Sequence, residues 1–98
     1  MSQEQARELA QEVPLWILRE NAVEREFKFA DFRRALDFVN RVAYVAEEEG
    51  HHPDIFISYR LVRLTLFTHK IGGLTQNDFI LAAKIDRLFA SEQDLTNG

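Results

Sequence analysis

Apolar positions recur at helical spacing in three stretches of the chain and alternate in the shorter runs between them. Gln3 to Val13 is rich in helix formers and puts Ala6, Leu9, Ala10 and Val13 on one stripe. Pro14 ends this helix, because the residue before a proline is pushed out of the helical region. Trp16 to Arg19 and Val23 to Phe29 read as strands, the second alternating Val23, Arg25, Phe27 and Phe29 against Glu24, Glu26 and Lys28. Asn21-Ala22 is the turn between them, and Phe27 and Phe29 face the core. Asp31 to Glu49 is the clearest helix, with Phe32, Ala35, Leu36, Val39, Val42, Ala43 and Ala46 on one face and Asp31 placed to cap its start. Ile55 to His69 is too long and too β-branched for a single strand, and the polar break at Tyr59-Arg60 predicts a turn. Val62, Leu64, Leu66 and Thr68 then share one face, leaving Arg63, Thr65, Phe67 and His69 on the other. After Gly72-Gly73, Thr75-x-x-Asp78 has the form of a capping box with Asp in place of Glu. The helix that follows runs from Gln76 to about Ser91, with Leu81, Ile85, Leu88 and Phe89 on one side and Ile80 and Ala83 on another. Gln93 to Gly98 is expected as a polar tail.

Together these elements predict an α+β fold. One four-stranded antiparallel sheet, made from two hairpins, carries three helices on one face in the order α-β-β-α-β-β-α, so that each amphipathic face is buried once.

Composition narrows the class. Ninety-eight residues with 46% apolar and 11% aromatic content are enough for one domain over residues 1–98 with its own core. The lack of cysteine removes disulfides and thiolate metal sites together, which fits a reducing compartment and a cytoplasmic location. A net charge of −4 with intermixed signs disfavours direct nucleic-acid binding. No apolar run approaches the roughly 20 residues needed to span a bilayer, and the start lacks the features of a signal peptide.

The candidate chemistry is concentrated between Glu47 and Asp78. All three histidines of the chain fall there, His51 and His52 in Glu-Glu-Glu-Gly-His-His-Pro-Asp and His69 in Thr-His-Lys-Ile-Gly-Gly-Leu-Thr-Gln-Asn-Asp. Gly50 is suited to the positive φ that closes a helix, and Pro53 drives His52 toward extended backbone. The two adjacent histidines are thus held in a stiff loop past a helix end, and a simple hairpin brings His69 back toward them. Imidazole, with an unperturbed pKa of about 6.5, is the side chain suited to moving protons near neutrality. Glu47, Glu48 and Glu49 sit at the negative end of the helix dipole, a conflict of a few tenths to about 1 kcal/mol per charge that reads equally as the mark of a functional site or as a solvated acidic helix end.

The run Glu47-x-x-Gly50-His51-His52-Pro53-Asp54, with Thr68-His69 and Gly73-Leu74-Thr75-x-x-Asp78, resembles the signature of the pterin-4a-carbinolamine dehydratase family, and the match extends from Pro14-x-Trp16 to the helix start at Asp78-Phe79-x-x-Ala82. The resemblance implies a 4a-hydroxytetrahydrobiopterin dehydratase, a hydro-lyase that eliminates water across C4a and N5 of a 4a-hydroxytetrahydropterin to give the quinonoid dihydropterin in tetrahydrobiopterin recycling. It implies no metal and no organic cofactor. Residue by residue, His52 matches the main substrate-binding histidine, with Pro53 shaping its loop, while His51 and His69 match the acid and base. Glu47 matches a carboxylate that biases an imidazole, and Asp78 matches a further site position read here as substrate-binding. Asn77 departs from a branch of the family that carries a basic residue at this position, which puts substrate anchoring on that rim in doubt. The family further implies a homodimer or homotetramer and a pterin-dependent aromatic amino acid hydroxylase as pathway partner. Relatives also act as small oligomeric adaptors for a transcription factor, the alternative reading for this chain.

Each site residue has a plainer structural role to set beside these. Adjacent loop histidines are often only solvated, Asp78 is first of all a helix-start carboxylate, and Phe56, Tyr59 and Phe67 read as packing. A zinc site from His51, His52 and His69 with Glu47 or Asp78 exists by inventory, but neighbouring histidines in a proline-restrained loop reach one tetrahedral ion with difficulty.

Overall fold

The computed structural model describes the backbone of residues 1–97 and side chains through Ser91. The order is α1 (Gln3–Ala10), β1 (Ile17–Leu18), β2 (Val23–Lys28), α2 (Phe32–Glu49), β3 (Asp54–Ser58), β4 (Leu61–Leu66) and α3 (Gln76–Asn97). The four strands form one antiparallel sheet in the order β1-β2-β4-β3, so the two hairpins join through β2 and β4. Val23 pairs with Leu66 and Phe27 with Val62 in that seam. One sheet face, formed by Val23, Phe27, Val62, Leu64 and Leu66, is buried against all three helices. This is the α+β architecture that the hydrophobic pattern predicts.

Local chemistry accounts for most of the boundaries. Ser2 caps α1, its hydroxyl accepting from the Gln5 N–H while the Gln5 side chain accepts from the Ser2 N–H. The expected end at Val13 is three residues too long. From Gln11 onward the backbone tightens into i→i−3 bonds (Gln11 to Glu8, Glu12 to Leu9, Val13 to Ala10) that still deliver Val13 to the core. Asp31 caps α2 as expected, accepting from the Arg34 N–H at 2.8 Å.

The buried stripe of α2 is Ala35, Phe38, Val42 and Ala46, not the broader face expected. Phe32 and Leu36 lie outward, 46% and 36% exposed, and Ala43 is also exposed. Phe38 takes the central place instead, its ring 4.9 Å from Phe27 and 5.9 Å from Phe89. Burying such a ring is worth about 1.5–3 kcal/mol, so the arc containing it wins the sheet.

Trp16, Arg25 and Asp86 tie the first hairpin to α3. The Trp16 Nε1–H and the Arg25 Nη1–H both donate to Asp86 Oδ1, at 2.8 and 2.6 Å, while the Arg25 guanidinium lies 4.4 Å from the Phe27 ring centre. The predicted turn at Tyr59-Arg60 connects Ser58 to its partner Leu61, with Tyr59 at φ 54°. α3 continues past the expected end near Ser91 to Asn97, so most of the expected tail is helical, and Gly98 lies outside the described residues. Of its apolar residues among those described, Phe79, Leu81, Ala82 and Ile85 are buried and Ile80, on the other side, is 43% exposed. No helix among the described residues is long and apolar enough to cross a membrane.

Candidate active site

The end of α2 sets the first part of the site. Gly50 adopts φ 63°, ψ 31°, the left-handed conformation that lets its own N–H and that of His51 close on the carbonyls of Glu47 and Ala46. No atom lies within 4 Å of where a Cβ would sit, so the requirement for glycine comes from φ alone. The chain leaves this cap directly into His51 and His52, and Pro53 leads it into β3. Two of the three terminal glutamates have partners: Glu49 meets the Lys84 ammonium of α3, and Glu47 Oε1 lies 3.5 Å from His52 Nε2. The acidic helix end is thus partly offset by neighbouring donors. His52 and Glu47 are both largely exposed at the surface.

His51 is turned inward. Its side chain is 14% exposed, and Nε2 is hydrogen-bonded to Oδ1 of Asp78, the one charged residue buried among those described, at 0% exposure. Asp78 is the third residue of α3, and its Oδ2 accepts from the Thr75 N–H at 2.9 Å and from the Thr68 hydroxyl at 3.1 Å. A buried carboxylate needs such a set of donors to offset its lost hydration. The expected capping box is therefore half-formed. Asp78 reaches back to the Thr75 N–H, but the Thr75 hydroxyl is engaged with Thr68 Oγ1 at 2.8 Å.

Thr68 stands just past β4, held by a backbone bond from its N–H to the Gly73 carbonyl at 2.7 Å, while its own carbonyl accepts from Gly72. Gly72 has φ 63°, which lets residues 69–73 fold back sharply. His69 opens this loop and is exposed, its ring 4.2 Å from that of Phe67 on the open side of the sheet, as strand alternation predicts. His51 is thus paired with Asp78, His52 with Glu47, and His69 with Phe67. His69 makes no contact with either of the other two histidines; the link is its chain neighbour Thr68, which binds the carboxylate that holds His51. Pro53 is half-buried and Asn77 exposed. Among the described residues no three of His, Cys, Asp and Glu come together closely enough to hold a metal ion.

The roles of Thr68 and Thr75 are not apparent from the pattern alone. One signal for Thr68 was available: a hydroxyl ending the buried face of Val62, Leu64 and Leu66 has to find a polar partner.

An α+β sheet-and-helix protein with one inward histidine on a buried carboxylate and two exposed histidines on the adjoining loops has the makings of a proton-transfer enzyme. Its relatives narrow the class further. The family model described as pterin 4 alpha carbinolamine dehydratase matches residues 1–88. A Rubrobacter xylanophilus relative named for the pterin-4-alpha-carbinolamine dehydratases is 51% identical over 86 residues, 87% of this chain and 80% of the relative. Among solved structures, the Brucella melitensis protein titled transcriptional coactivator/pterin dehydratase superposes with a TM-score of 0.86 at 32% identity, covering 91% of this chain and 97% of that one. A pterin dehydratase-like protein, titled as a RuBisCO assembly factor in the alpha-carboxysome, shares the fold at a TM-score of 0.62 and 23% identity, over 74% of this chain and 84% of its own. The chain belongs to the pterin-4a-carbinolamine dehydratase family, a family of hydro-lyases.

Proposed function

We propose that the chain dehydrates a 4a-hydroxytetrahydropterin to the quinonoid dihydropterin, as a step in tetrahydrobiopterin recycling alongside a pterin-dependent aromatic amino acid hydroxylase, in the cytoplasm. The observation that carries this reading is the buried Asp78 carboxylate on His51 Nε2. A carboxylate only accepts, so Nε2 bears the proton and the Nδ1 lone pair is left to act as a base. His51 takes the N5 proton, the N5 electron pair forms the C4a=N5 double bond, and the C4a–O bond breaks. His69, more exposed and at the mouth of the folded-back loop, gives a proton to the departing hydroxyl, which leaves as water. Asp78 stabilises the imidazolium that forms on His51. His52, biased by Glu47 and set by Pro53, holds the pterin at the rim.

This reading gives Asp78 a positioning role rather than direct contact with substrate, because a side chain with no exposed surface reaches a ligand only through His51. A test is the breakdown of freshly generated 4a-hydroxytetrahydropterin followed by absorbance, with and without the protein. No acceleration by folded protein would refute it.

We further propose self-association, as a dimer or tetramer. β3 is an edge strand with Ile55 and Phe56 40% and 49% exposed, and Phe32 and Leu36 of α2 form a second uncovered apolar surface. Sedimentation giving only the 11.4 kDa monomer at micromolar concentration would overturn it. The adaptor role is the second reading. It is favoured by that α2 surface and by the coactivator half of the Brucella protein's title, and it predicts that a foreign helix competes with self-association.

A further inference from the structure

We infer that Thr68, backed by Thr75, is a positioning residue of this site: its hydroxyl fixes the plane of the Asp78 carboxylate and thereby selects the tautomer of His51. The terminal torsion of an aspartate is soft, and a carboxylate on one donor swings about that contact. Asp78 Oδ2 is held by two donors from different directions, the Thr75 N–H at 2.9 Å and the Thr68 hydroxyl at 3.1 Å, which leaves Oδ1 aimed at His51 Nε2. Thr68 has a single hydroxyl proton. Once that is given to Asp78, the 2.8 Å contact between the two threonine oxygens requires the Thr75 hydroxyl to donate to Thr68. The result is a chain with one direction, from Thr75 to Thr68 to Asp78, that keeps Oδ1 of the carboxylate, itself only an acceptor, aimed at His51 Nε2 so that the Nε2–H tautomer is held. In this way the helix start at α3 is tied to the end of β4.

The Thr68 N–H and carbonyl are both held by the Gly72-Gly73 turn, which places its Cα, and the hydroxyl is then set by its contacts to Thr75 and Asp78. The next residue is His69. One loop therefore both orients the base and carries the acid, and displacing Thr68 disturbs the distance between the two imidazoles. The kinetic part of this inference rests on the dehydratase reading; the tautomer part does not.

The test uses three variants of the full chain: Thr68→Val, which removes the hydroxyl and keeps the shape; Thr68→Ser, which keeps the hydroxyl; and Thr75→Val, which leaves the Thr75 N–H in place. Two quantities are read, the kcat and KM for 4a-hydroxytetrahydropterin and the imidazole 15N shifts of His51 at a pH where the ring is neutral. Thr68→Val is expected to lower kcat by roughly tenfold or more with KM little changed, since misorientation of a general base acts on the chemical step. Its His51 nitrogens should show a mixture of tautomers in place of the Nε2–H form. Thr68→Ser should restore both readouts. Wild-type kcat and shifts in folded Thr68→Val overturn the inference, as does a Thr68→Ser protein impaired as badly as the valine variant, which would assign the effect to packing of the methyl. If Thr68→Val does not fold, Thr75→Val decides in the same way: a tautomer mixture supports the inference and unchanged shifts overturn it. Should the wild type show no turnover, the dehydratase reading fails while the 15N spectra still decide the positioning role.

Discussion

Asp78→Asn is the substitution that separates a positioning carboxylate from a substrate-binding one. The amide is nearly isosteric, and the Thr75 N–H and Thr68 hydroxyl draw its oxygen to their side, so its NH2 group faces His51. That group only donates. His51 must then offer the Nε2 lone pair and carry its proton on Nδ1, the atom that serves as base in the native protein. A base in the wrong tautomer and without a counter-ion for its imidazolium should lower kcat by roughly 10²–10⁴-fold, with little change in KM. Stability should fall much less. Three charge-assisted bonds become neutral ones, the one to His51 reversed, and α3 loses a carboxylate at its positive end, but a fully buried charge is also removed; the net cost is about 1–2 kcal/mol. For a domain of this size that is a fall in Tm of roughly 5–15 °C. Steady-state kinetics on the pterin, with a thermal melt of the same sample, checks both magnitudes. A variant that keeps native kcat, or one that changes KM alone, would refute the positioning role and return Asp78 to direct substrate contact.

Three further outcomes follow from the same geometry. His52→Ala should raise KM and be largely recovered at high substrate, whereas His51→Ala and His69→Ala should each lower kcat by roughly 10²-fold, and together by less than the product if both serve one proton-transfer step; initial rates against substrate concentration separate these cases. Asp86→Ala leaves the Arg25 guanidinium and the Trp16 Nε1–H, both well buried, without their shared acceptor, and should cost about 2–4 kcal/mol in denaturant unfolding. Gly50→Ala forces a side chain into the left-handed region where nothing blocks its Cβ, so the cost should be confined to about 1–2 kcal/mol of backbone strain, seen in the same unfolding assay.

Much of the fold was legible because its signals are local. Asp31, Gly50, Pro53 and the Tyr59-Arg60 break each mark a boundary by their own chemistry, and the alternation of β4 places Val62, Leu64 and Leu66 inward. What was not legible depends on choices between elements. Apolar residues cover much of α2, so periodicity alone does not say which arc meets the sheet, and the outward Phe32 and Leu36 fit the helical spacing as well as the buried Phe38 does. Trp16 and Arg25 meet Asp86 across more than 60 residues of chain, and no local pattern marks that meeting. The site divides in the same way. Gly50 and Pro53 point to the histidine loop, and the resemblance supplies the rest of the residue set. The contact of His51 with Asp78, 27 residues away, appears only when α3 starts beside the end of α2. Thr68 was visible as a residue but not as a partner, because its role is defined by a carboxylate on another element.

The proposed roles of His51 and His69 in the elimination are read most simply from the rate of loss of 4a-hydroxytetrahydropterin with substoichiometric folded protein. Wild type and the His51→Ala/His69→Ala double variant are compared against buffer. Many turnovers per wild-type chain are expected, and a rate near the uncatalysed background for the double variant. A folded wild type that gives only the buffer rate, or a folded double variant as fast as wild type, would contradict these roles.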